Sequence, residues 1–143
     1  MALKDRKATL ADIGLGQKNV YFIGSKPFEE IPRYYAGFDI CIIPYVLNDY
    51  TVGGCFPVNF HEALAVGPPT IVTDLPAYAP FKDVSYIAKT PNEFSVYIQE
   101  ALNEDIAEKV RQRQRVAKEN SWDNKVENML KLISKALKLK ERE

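Results

Sequence analysis

One stretch of the chain combines a glycine pair, a predicted helix start and a carboxylate. Gly53 and Gly54 lie in a polar run that we interpret as a loop, and a helix is predicted to begin near Pro57. Backbone amides at a helix N-terminus attract an anion, typically phosphate, and glycine lets the backbone approach that anion closely. Glu62, about one and a half turns into the helix, can accept hydrogen bonds from sugar hydroxyls. These residues alone leave open the alternative of a helix-capping loop with Glu62 on a solvated face.

The composition is that of an ordinary globular protein and limits the kinds of partner. The chain has 143 residues, 46% hydrophobic and 27% charged, which predicts one domain with a buried core. Basic and acidic residues number 19 each, and this zero net charge argues against a nucleic-acid partner. The sequence has neither a run of about 20 apolar residues nor a signal-peptide pattern, so we expect a cytoplasmic protein.

The single histidine and the two cysteines offer little chemistry. His61 alone cannot form a multi-histidine metal site, and it has no Ser or Cys partner at motif spacing, so we expect a core or surface histidine. Cys41 falls in an apolar run and Cys55 in the polar loop, and they do not form a Cys-x-x-Cys pair.

Short apolar runs alternate with helical segments along much of the chain. We predict buried strands at 19–24, 39–44 and 70–73, and the lack of polar alternation at 39–44 predicts that both faces of that strand are covered. A weaker strand, at the edge of the sheet, is predicted at 84–88. Between them we predict a short helix at 27–37, a loop at 48–56, and a helix from residue 57 to about residue 66. Strands that alternate with helices predict an α/β fold with a mostly parallel sheet of about four strands.

The last part of the chain is predicted to be helical. Thr90-Pro91-Asn92-Glu93 has the pattern of a capping box with proline at the first helical position. A charged helix is predicted at 105–120, and Ser121 is predicted to cap a final amphipathic helix. The basic run at 109–118, which includes Arg113, is interpreted as a solvated helix face because acidic residues balance it.

Residues 62–69 read Glu-Ala-Leu-Ala-Val-Gly-Pro-Pro and run directly into an apolar strand. This pattern resembles the donor-site motif of GT-B glycosyltransferases, whose C-terminal domains carry Glu-Ala-x-Ala-x-Gly-x-Pro before a Val/Ile strand. Three flanking segments also resemble that family: the Asn-Val-x-Phe-x-Gly run at 19–24, the helix-to-strand step at 34–44, and the helix start at 121–122. The resemblance covers about residues 17–135. It implies a Rossmann-like, three-layer αβα fold with C-terminal helices, a partial GT-B C-terminal domain.

The resemblance implies roles for three residues of the helix that follows the loop. Glu62 falls where the family binds the ribose of its nucleotide-sugar donor. Val58 and Asn59 lie at the helix start, which faces the diphosphate in that family.

Four positions in loops complete the implied donor site. Gly53 and Gly54 lie in the loop beneath the donor sugar and phosphate. Gly24 and Ser25 follow the strand whose end usually borders the nucleobase.

Two residues depart from the family's pattern. Gly54 stands where a second glutamate often contacts the sugar, and Asn59 stands where similar members often have lysine. The family's basic pair and its N-terminal acceptor domain precede the matched region. We therefore expect an N-terminally truncated piece that lacks turnover in isolation, with the unidentified catalytic residues in the missing domain.

The resemblance implies transfer of a sugar from a nucleotide diphosphate sugar to an acceptor hydroxyl, in cell-surface polysaccharide or glycan biosynthesis. The absent domain would bind the acceptor, a glycan or a lipid-linked molecule, and could hold the full-length enzyme at the inner face of the membrane. No metal or other cofactor is expected. The alternative is a non-catalytic Rossmann-like binding or interaction module derived from that family.

We divide the chain into three regions on this basis. Residues 1–18 are interpreted as a helix end and loop left from a larger domain, 19–120 as the donor-binding domain, and 121–143 as an amphipathic helix. A sheet that lacks its first strands has an exposed edge, which predicts a homodimer through that edge.

Overall fold

A computed structural model describes residues 17–55, 58–104 and 106–140. The predictions for residues 1–16 and for Pro57 at the helix start lie outside the described residues. The chain divides into two compact units, residues 1–30 and 31–143. A short 3-10 helix, Phe28–Glu30, belongs to the first unit.

The second unit contains three strands and six α-helices among the described residues. The strands are β1 (Cys41–Ile43), β2 (Thr70–Thr73) and β3 (Tyr86–Ala88). The α-helices are α1 (Ile31–Ala36), α2 (Asp49–Gly54), α3 (Val58–Val66), α4 (Pro91–Leu102), α5 (Ile106–Glu119) and α6 (Trp122–Lys140). A 3-10 helix, Pro76–Phe81, lies between β2 and β3.

The strands form a parallel sheet in the order β1-β2-β3, with Cys41 opposite Thr70 and Ile71 opposite Tyr86. Successive residues of a strand point to opposite faces, and both faces of β2 are buried. Val72 packs with Phe60 of α3, whereas Ile71 packs with Ala101 of α4. Helices on both faces confirm the α/β, Rossmann-like αβα layout predicted from the sequence.

The sheet has three strands in the described part of the chain, not the four expected. The run at 19–24 is not a strand, and its side chains are exposed, Tyr21 to 80% and Phe22 to 76%. Its β-branched and aromatic composition favours a strand only where a neighbouring strand pairs with its backbone. In the described residues no such ladder forms, and the Val20 amide instead donates to the Gln17 carbonyl in a turn.

The segment predicted as a loop at 48–56 contains the short helix α2. Asn48 caps it: the Thr51 amide donates to Asn48 Oδ1 at 2.9 Å, and the Asn48 amide donates to Thr51 Oγ1 at 3.0 Å. The buried Thr51 hydroxyl also donates to the Val46 carbonyl at 2.7 Å. This reciprocal cap stabilises one helical turn despite the two glycines that end it.

Arg113 contradicts the interpretation of the basic run as wholly solvated. Its side chain is buried, and its guanidinium donates to the Val84 carbonyl at 3.3 Å, the Gly67 carbonyl at 3.1 Å and the Glu104 carboxylate. Glu104 in turn accepts from the Tyr86 hydroxyl at 2.8 Å. Because each charge has a partner, the guanidinium is stable inside the protein, where it joins α5 to β3 and to the end of α3.

Candidate functional site

The carboxyl ends of the three strands meet at one edge of the sheet, where parallel α/β sheets bind ligands. A cleft of about 500 Å³ lies at this edge. Its lining includes residues that follow or end each strand, together with the start of α4: Tyr45, Leu47, Thr73, Lys89, Thr90 and Phe94. The cleft is mostly apolar, which suits the flat face of a ring more than a phosphate.

A pair of hydrogen bonds fixes the floor of this cleft. The Tyr45 amide donates to Thr73 Oγ1 at 2.8 Å, and the Thr73 hydroxyl lies 3.3 Å from the Tyr45 carbonyl that can accept from it. Burial raises the pKa of Tyr45, and the charge and hydrogen bond of the neighbouring Cys55 raise it further. Tyr45 thus connects the cleft to the segment that leads into α3.

Two helices begin on the carboxyl side of the sheet, because α3 lies in the parallel crossover from β1 to β2 and α4 follows the carboxyl end of β3. At the start of α4, backbone amides already donate to the side chains of Thr90 and Glu93. The Glu93 amide donates to Thr90 Oγ1 at 3.2 Å, and Glu93 Oε2 accepts from the Lys89 amide at 2.7 Å. The predicted cap at Thr90 is therefore confirmed, and the start of α3 is the better place for an anion.

Three predicted donor-site residues lie together on α3. Val58 is the first residue of the helix and is 54% exposed, and Glu62 follows one turn later on the same side. Asn59 is half-buried, and its backbone carbonyl accepts from the Tyr35 hydroxyl at 3.4 Å. Its buried Oδ1 has no hydrogen-bond partner in the part of the chain that the structure describes.

Tyr35 of α1 is a neighbour of Glu62 that the sequence did not single out. Burial first, and then the charges of Cys41 and Glu62, raise the pKa of Tyr35 to about 12. The hydroxyl therefore stays protonated at neutral pH and can act as a hydrogen-bond donor beside the carboxylate. Its position in a short helix, 27 residues before Glu62 in sequence, gave no signal of this proximity.

The glycines predicted for the donor site differ in what the fold requires of them. Gly53 and Gly54 end α2, are exposed, and have no atom within 4 Å of an added Cβ. The fold therefore does not need glycine there. Gly24 and Ser25 belong to the first unit, where both are exposed and Gly24 has a φ of +68°.

His61 has the environment of a core histidine. Its ring meets Phe81 edge-on at a centroid distance of 5.1 Å and Phe60 at 5.4 Å. Burial lowers its pKa, and the charge of Lys125 lowers it further.

The described residues contain no group of three or more His, Cys, Asp and Glu side chains that could hold a metal ion. No helix among them is long and apolar enough to span a bilayer.

A sequence model of the family described as glycosyl transferases group 1 matches residues 2–113. The chain belongs to this family. No curated protein and no solved structure matches it. The matched region of this group 1 glycosyltransferase contains the sheet and α3 and ends inside α5, so α6 lies beyond it.

Tyr78 is part of the core of the group 1 glycosyltransferase. It lies in the 3-10 helix after β2, is 1% exposed, and packs against Phe60 at a ring distance of 4.9 Å. Its buried hydroxyl has no hydrogen-bond partner among the described residues.

Proposed function

We propose that this group 1 glycosyltransferase domain binds the donor in an enzyme that transfers a sugar from a nucleotide diphosphate sugar to an acceptor hydroxyl. The observation that carries the proposal is the position of Glu62, one turn inside a helix that begins on the ligand-binding side of a parallel sheet. The family match supports the reaction class.

The start of α3 supplies the diphosphate site in this proposal. Its first-turn amides have no partner within the helix, and the helix dipole favours negative charge there. Val58 and Asn59 occupy this turn, and the exposure of Val58 leaves room for a ligand. The same amides would stabilise the charge that develops on the leaving diphosphate when the sugar is transferred.

Glu62 accepts hydrogen bonds from the ribose hydroxyls of the donor. A carboxylate is acceptor-only and can hold two vicinal hydroxyls at once, which a neutral side chain does less well. Tyr35 beside it remains a neutral donor because its pKa is raised to about 12. The carboxylate therefore has a neutral neighbour in Tyr35, whose hydroxyl donates to the Asn59 carbonyl. Gly53 and Gly54 leave open space at the end of α2, where the sugar and phosphate would lie.

The roles of Gly24 and Ser25 near the nucleobase rest on the resemblance alone, and catalytic and acceptor-binding groups come from another part of a longer enzyme. The acceptor is a glycan or a lipid-linked molecule in cell-surface polysaccharide or glycan biosynthesis, and no metal or other cofactor takes part. The enzyme works in the cytoplasm, at the inner face of the membrane. The 143-residue chain by itself binds donor without turnover.

Isothermal titration with UDP, GDP and their sugars tests the proposal directly. We expect saturable binding of one nucleotide class, weakened about 10-fold to 100-fold by Glu62→Gln, because hydrogen bonds to a charged group are lost. Glu119→Gln is the matched control, since Glu119 is exposed at the end of α5 and lies outside the motif at 62–69. Absence of binding at millimolar nucleotide, or equal weakening by both variants, would contradict the donor site.

A non-catalytic binding module is the second candidate, and the departures at Gly54 and Asn59 favour it. Asn59 offers no positive charge to a phosphate, and its Oδ1 is buried. Asn59→Lys separates the two candidates, with Lys109→Gln as a control for charge on an exposed face. The donor site predicts tighter nucleotide binding in Asn59→Lys, whereas a module with another ligand predicts no change.

A further inference from the structure

Tyr78 carries a buried hydroxyl that no other described residue uses. The residue is 1% exposed, and its hydroxyl oxygen has no hydrogen-bond partner in the described part of the chain. A buried polar group without a partner destabilises a fold, because water solvates the same group in the unfolded chain. Such groups are rare in folded proteins, and one cause is a role in a functional site.

Packing alone does not require a tyrosine at this position. The Tyr78 ring meets that of Phe60, the third residue of α3, at a centroid distance of 4.9 Å. Phe60 in turn meets Phe81 at 5.3 Å, and the three rings belong to one apolar cluster. A phenylalanine at position 78 would keep these contacts without burying an unpaired hydroxyl. The hydroxyl is therefore the part of Tyr78 that the core does not need.

The backbone that carries Tyr78 is held in place. Tyr78 lies in the 3-10 helix Pro76–Phe81, which begins with one proline and contains a second, Pro80. Proline fixes φ, and the Tyr78 amide donates to the Leu75 carbonyl at 2.9 Å. A partner for the hydroxyl must therefore come from a neighbouring segment and not from a movement of Tyr78.

The neighbours of the hydroxyl connect it to the end of α2. Burial raises the pKa of Tyr78, and the charges of Tyr45, Cys55 and Cys41 raise it further, so the hydroxyl stays protonated at neutral pH and can donate. Cys55 also shares a hydrogen bond with the side chain of Tyr45. Because Cys55 directly follows α2, the hydroxyl lies in the part of the core nearest the end of that helix.

The end of α2 has acceptors for this donor. The last carbonyls of an α-helix have no partner inside the helix. Asn48 fixes the start of α2 with two reciprocal hydrogen bonds, whereas Gly53 and Gly54 form its end. Glycine weakens a helix, and neither glycine has an atom within 4 Å of an added Cβ, so this end has room to shift. A small shift would bring a carbonyl of α2 to the Tyr78 hydroxyl.

We propose that Tyr78 is a positioning residue of the donor site, whose hydroxyl donates to a carbonyl at the end of α2 when a nucleotide diphosphate is bound. The inference rests on the proposed function, in which the sugar and phosphate lie at Gly53 and Gly54. A donor that contacts this end of α2 selects the arrangement in which the buried hydroxyl is paired, because it binds that arrangement more tightly. Tyr78 acts through α2 and does not touch the donor.

Tyr78→Phe tests this role, because it should change affinity and stability in opposite directions. Isothermal titration of the 143-residue chain with UDP and GDP should show nucleotide binding about 3-fold to 10-fold weaker than in the unchanged chain, the effect of one hydrogen bond. Without nucleotide, the midpoint of urea unfolding should stay equal or rise, since the change removes an unpaired buried hydroxyl. A residue that only supports the fold would lower both.

Tyr97→Phe is the matched control, because Tyr97 is half-buried on α4, on the other face of the sheet. It should leave the nucleotide affinity unchanged. Nucleotide should also shift the NMR signal of the Tyr78 ring carbon that bears the hydroxyl, because a new hydrogen bond forms there. The signal that disappears in Tyr78→Phe identifies this carbon, and the corresponding Tyr97 signal should not move.

The outcomes separate this inference from the donor site itself. Nucleotide binding that Glu62→Gln weakens but Tyr78→Phe does not would overturn the role of Tyr78 and leave the donor site intact. A lower unfolding midpoint in Tyr78→Phe would show that the hydroxyl is already paired, which also overturns that role, as would equal weakening in Tyr78→Phe and Tyr97→Phe. Absence of nucleotide binding in the unchanged chain would overturn both proposals.

Discussion

Arg113 Nη1 of α5 donates to the backbone carbonyl of Gly67, 3.1 Å away and 46 residues earlier in the chain. Gly67 ends the helix that contains Glu62, and its φ of +114° turns the chain into β2. The glycine and the glutamate of the family motif therefore have different roles. The glycine shapes a turn that α5 holds in place, and the glutamate lies in the middle of the helix, one turn after the helix begins.

Replacing Gly67 by alanine should destabilise the fold. Its φ lies in the left-handed region, and an added Cβ would come within 2.8 Å of Val110 Cγ1. Backbone strain and overpacking together predict a loss of about 2–4 kcal/mol in the free energy of unfolding by urea. Gly53→Ala is the control, because Gly53 has open space and an ordinary helical φ. It should change stability by no more than about 1 kcal/mol, in the stabilising direction. Equal losses in both variants would show that the turn at Gly67 is not the constraint.

Removing the charge of Arg113 should destabilise the fold, because the carboxylate of Glu104 would remain buried without its partner. We expect Arg113→Met to lower the free energy of unfolding by about 3–5 kcal/mol, measured by urea denaturation. Arg111→Met, which removes an exposed guanidinium paired with Glu108, is the control and should cost less than about 1 kcal/mol. A small effect of Arg113→Met would mean that water reaches Glu104.

Glu104 should also control the titration of Tyr86. Burial first, and then the hydrogen bond and charge of Glu104, raise the pKa of Tyr86 to about 12. Because the folded pKa lies above the ordinary value, the stability contributed by Tyr86 is present below about pH 10 and is lost as pH rises through about 12. Glu104→Gln should lower this pKa, which the NMR signal of the Tyr86 ring carbon bearing the hydroxyl measures. An unchanged midpoint would leave burial as the sole cause.

Tyr78→Phe should not destabilise the protein, because the buried hydroxyl lacks a hydrogen-bond partner among the described residues. We expect a change between zero and about 1 kcal/mol of stabilisation in urea unfolding. Tyr35→Phe provides the comparison, since it removes a donor to the Asn59 carbonyl and should cost up to about 1 kcal/mol. A greater loss in Tyr78→Phe than in Tyr35→Phe would reveal a buried water or another partner for Tyr78.

His61 should titrate below its ordinary pKa of 6.5, because burial and then the charge of Lys125 disfavour the imidazolium. Its contribution to stability is therefore present above pH 6.5 and is lost as pH falls through the folded pKa. The chain has one histidine, so its ring-proton NMR signal is unambiguous. Lys125→Gln should raise the midpoint, whereas Lys138→Gln, at the far end of α6, should not. A midpoint at or above 6.5 would contradict the buried position.

The sequence predicted best those elements whose burial is complete or whose ends are capped. The uninterrupted apolar runs predicted β1 and β2, and the caps at Thr90 and Ser121 follow from local hydrogen bonds. Both faces of β2 are buried, whereas Ile42 of β1 is 46% exposed, so the predicted burial of both faces of β1 was wrong. Local patterns failed where the deciding partner is distant. Arg113 is buried because carbonyls 29 and 46 residues away accept from it, and no pattern within α5 records that.

The sequence likewise predicted only part of the candidate site. The helix that carries Val58, Asn59 and Glu62 follows from its sequence, and so does its place at the ligand-binding edge. Tyr35 and the apolar cleft beside Tyr45 depend on how α1 and the strand ends pack, which periodicity does not encode.

The order of the strands in the sheet is also their order in the chain. Each parallel pair joins neighbours in sequence, so this sheet has a lower contact order than one whose neighbouring strands are far apart in the chain. The entropy lost on closing each loop is then smaller, and such topologies fold faster than sheets assembled from segments that are far apart in the chain. During synthesis, β2 can pair with β1 as soon as α3 has left the ribosome, and β3 can add to that pair before the C-terminal helices exist.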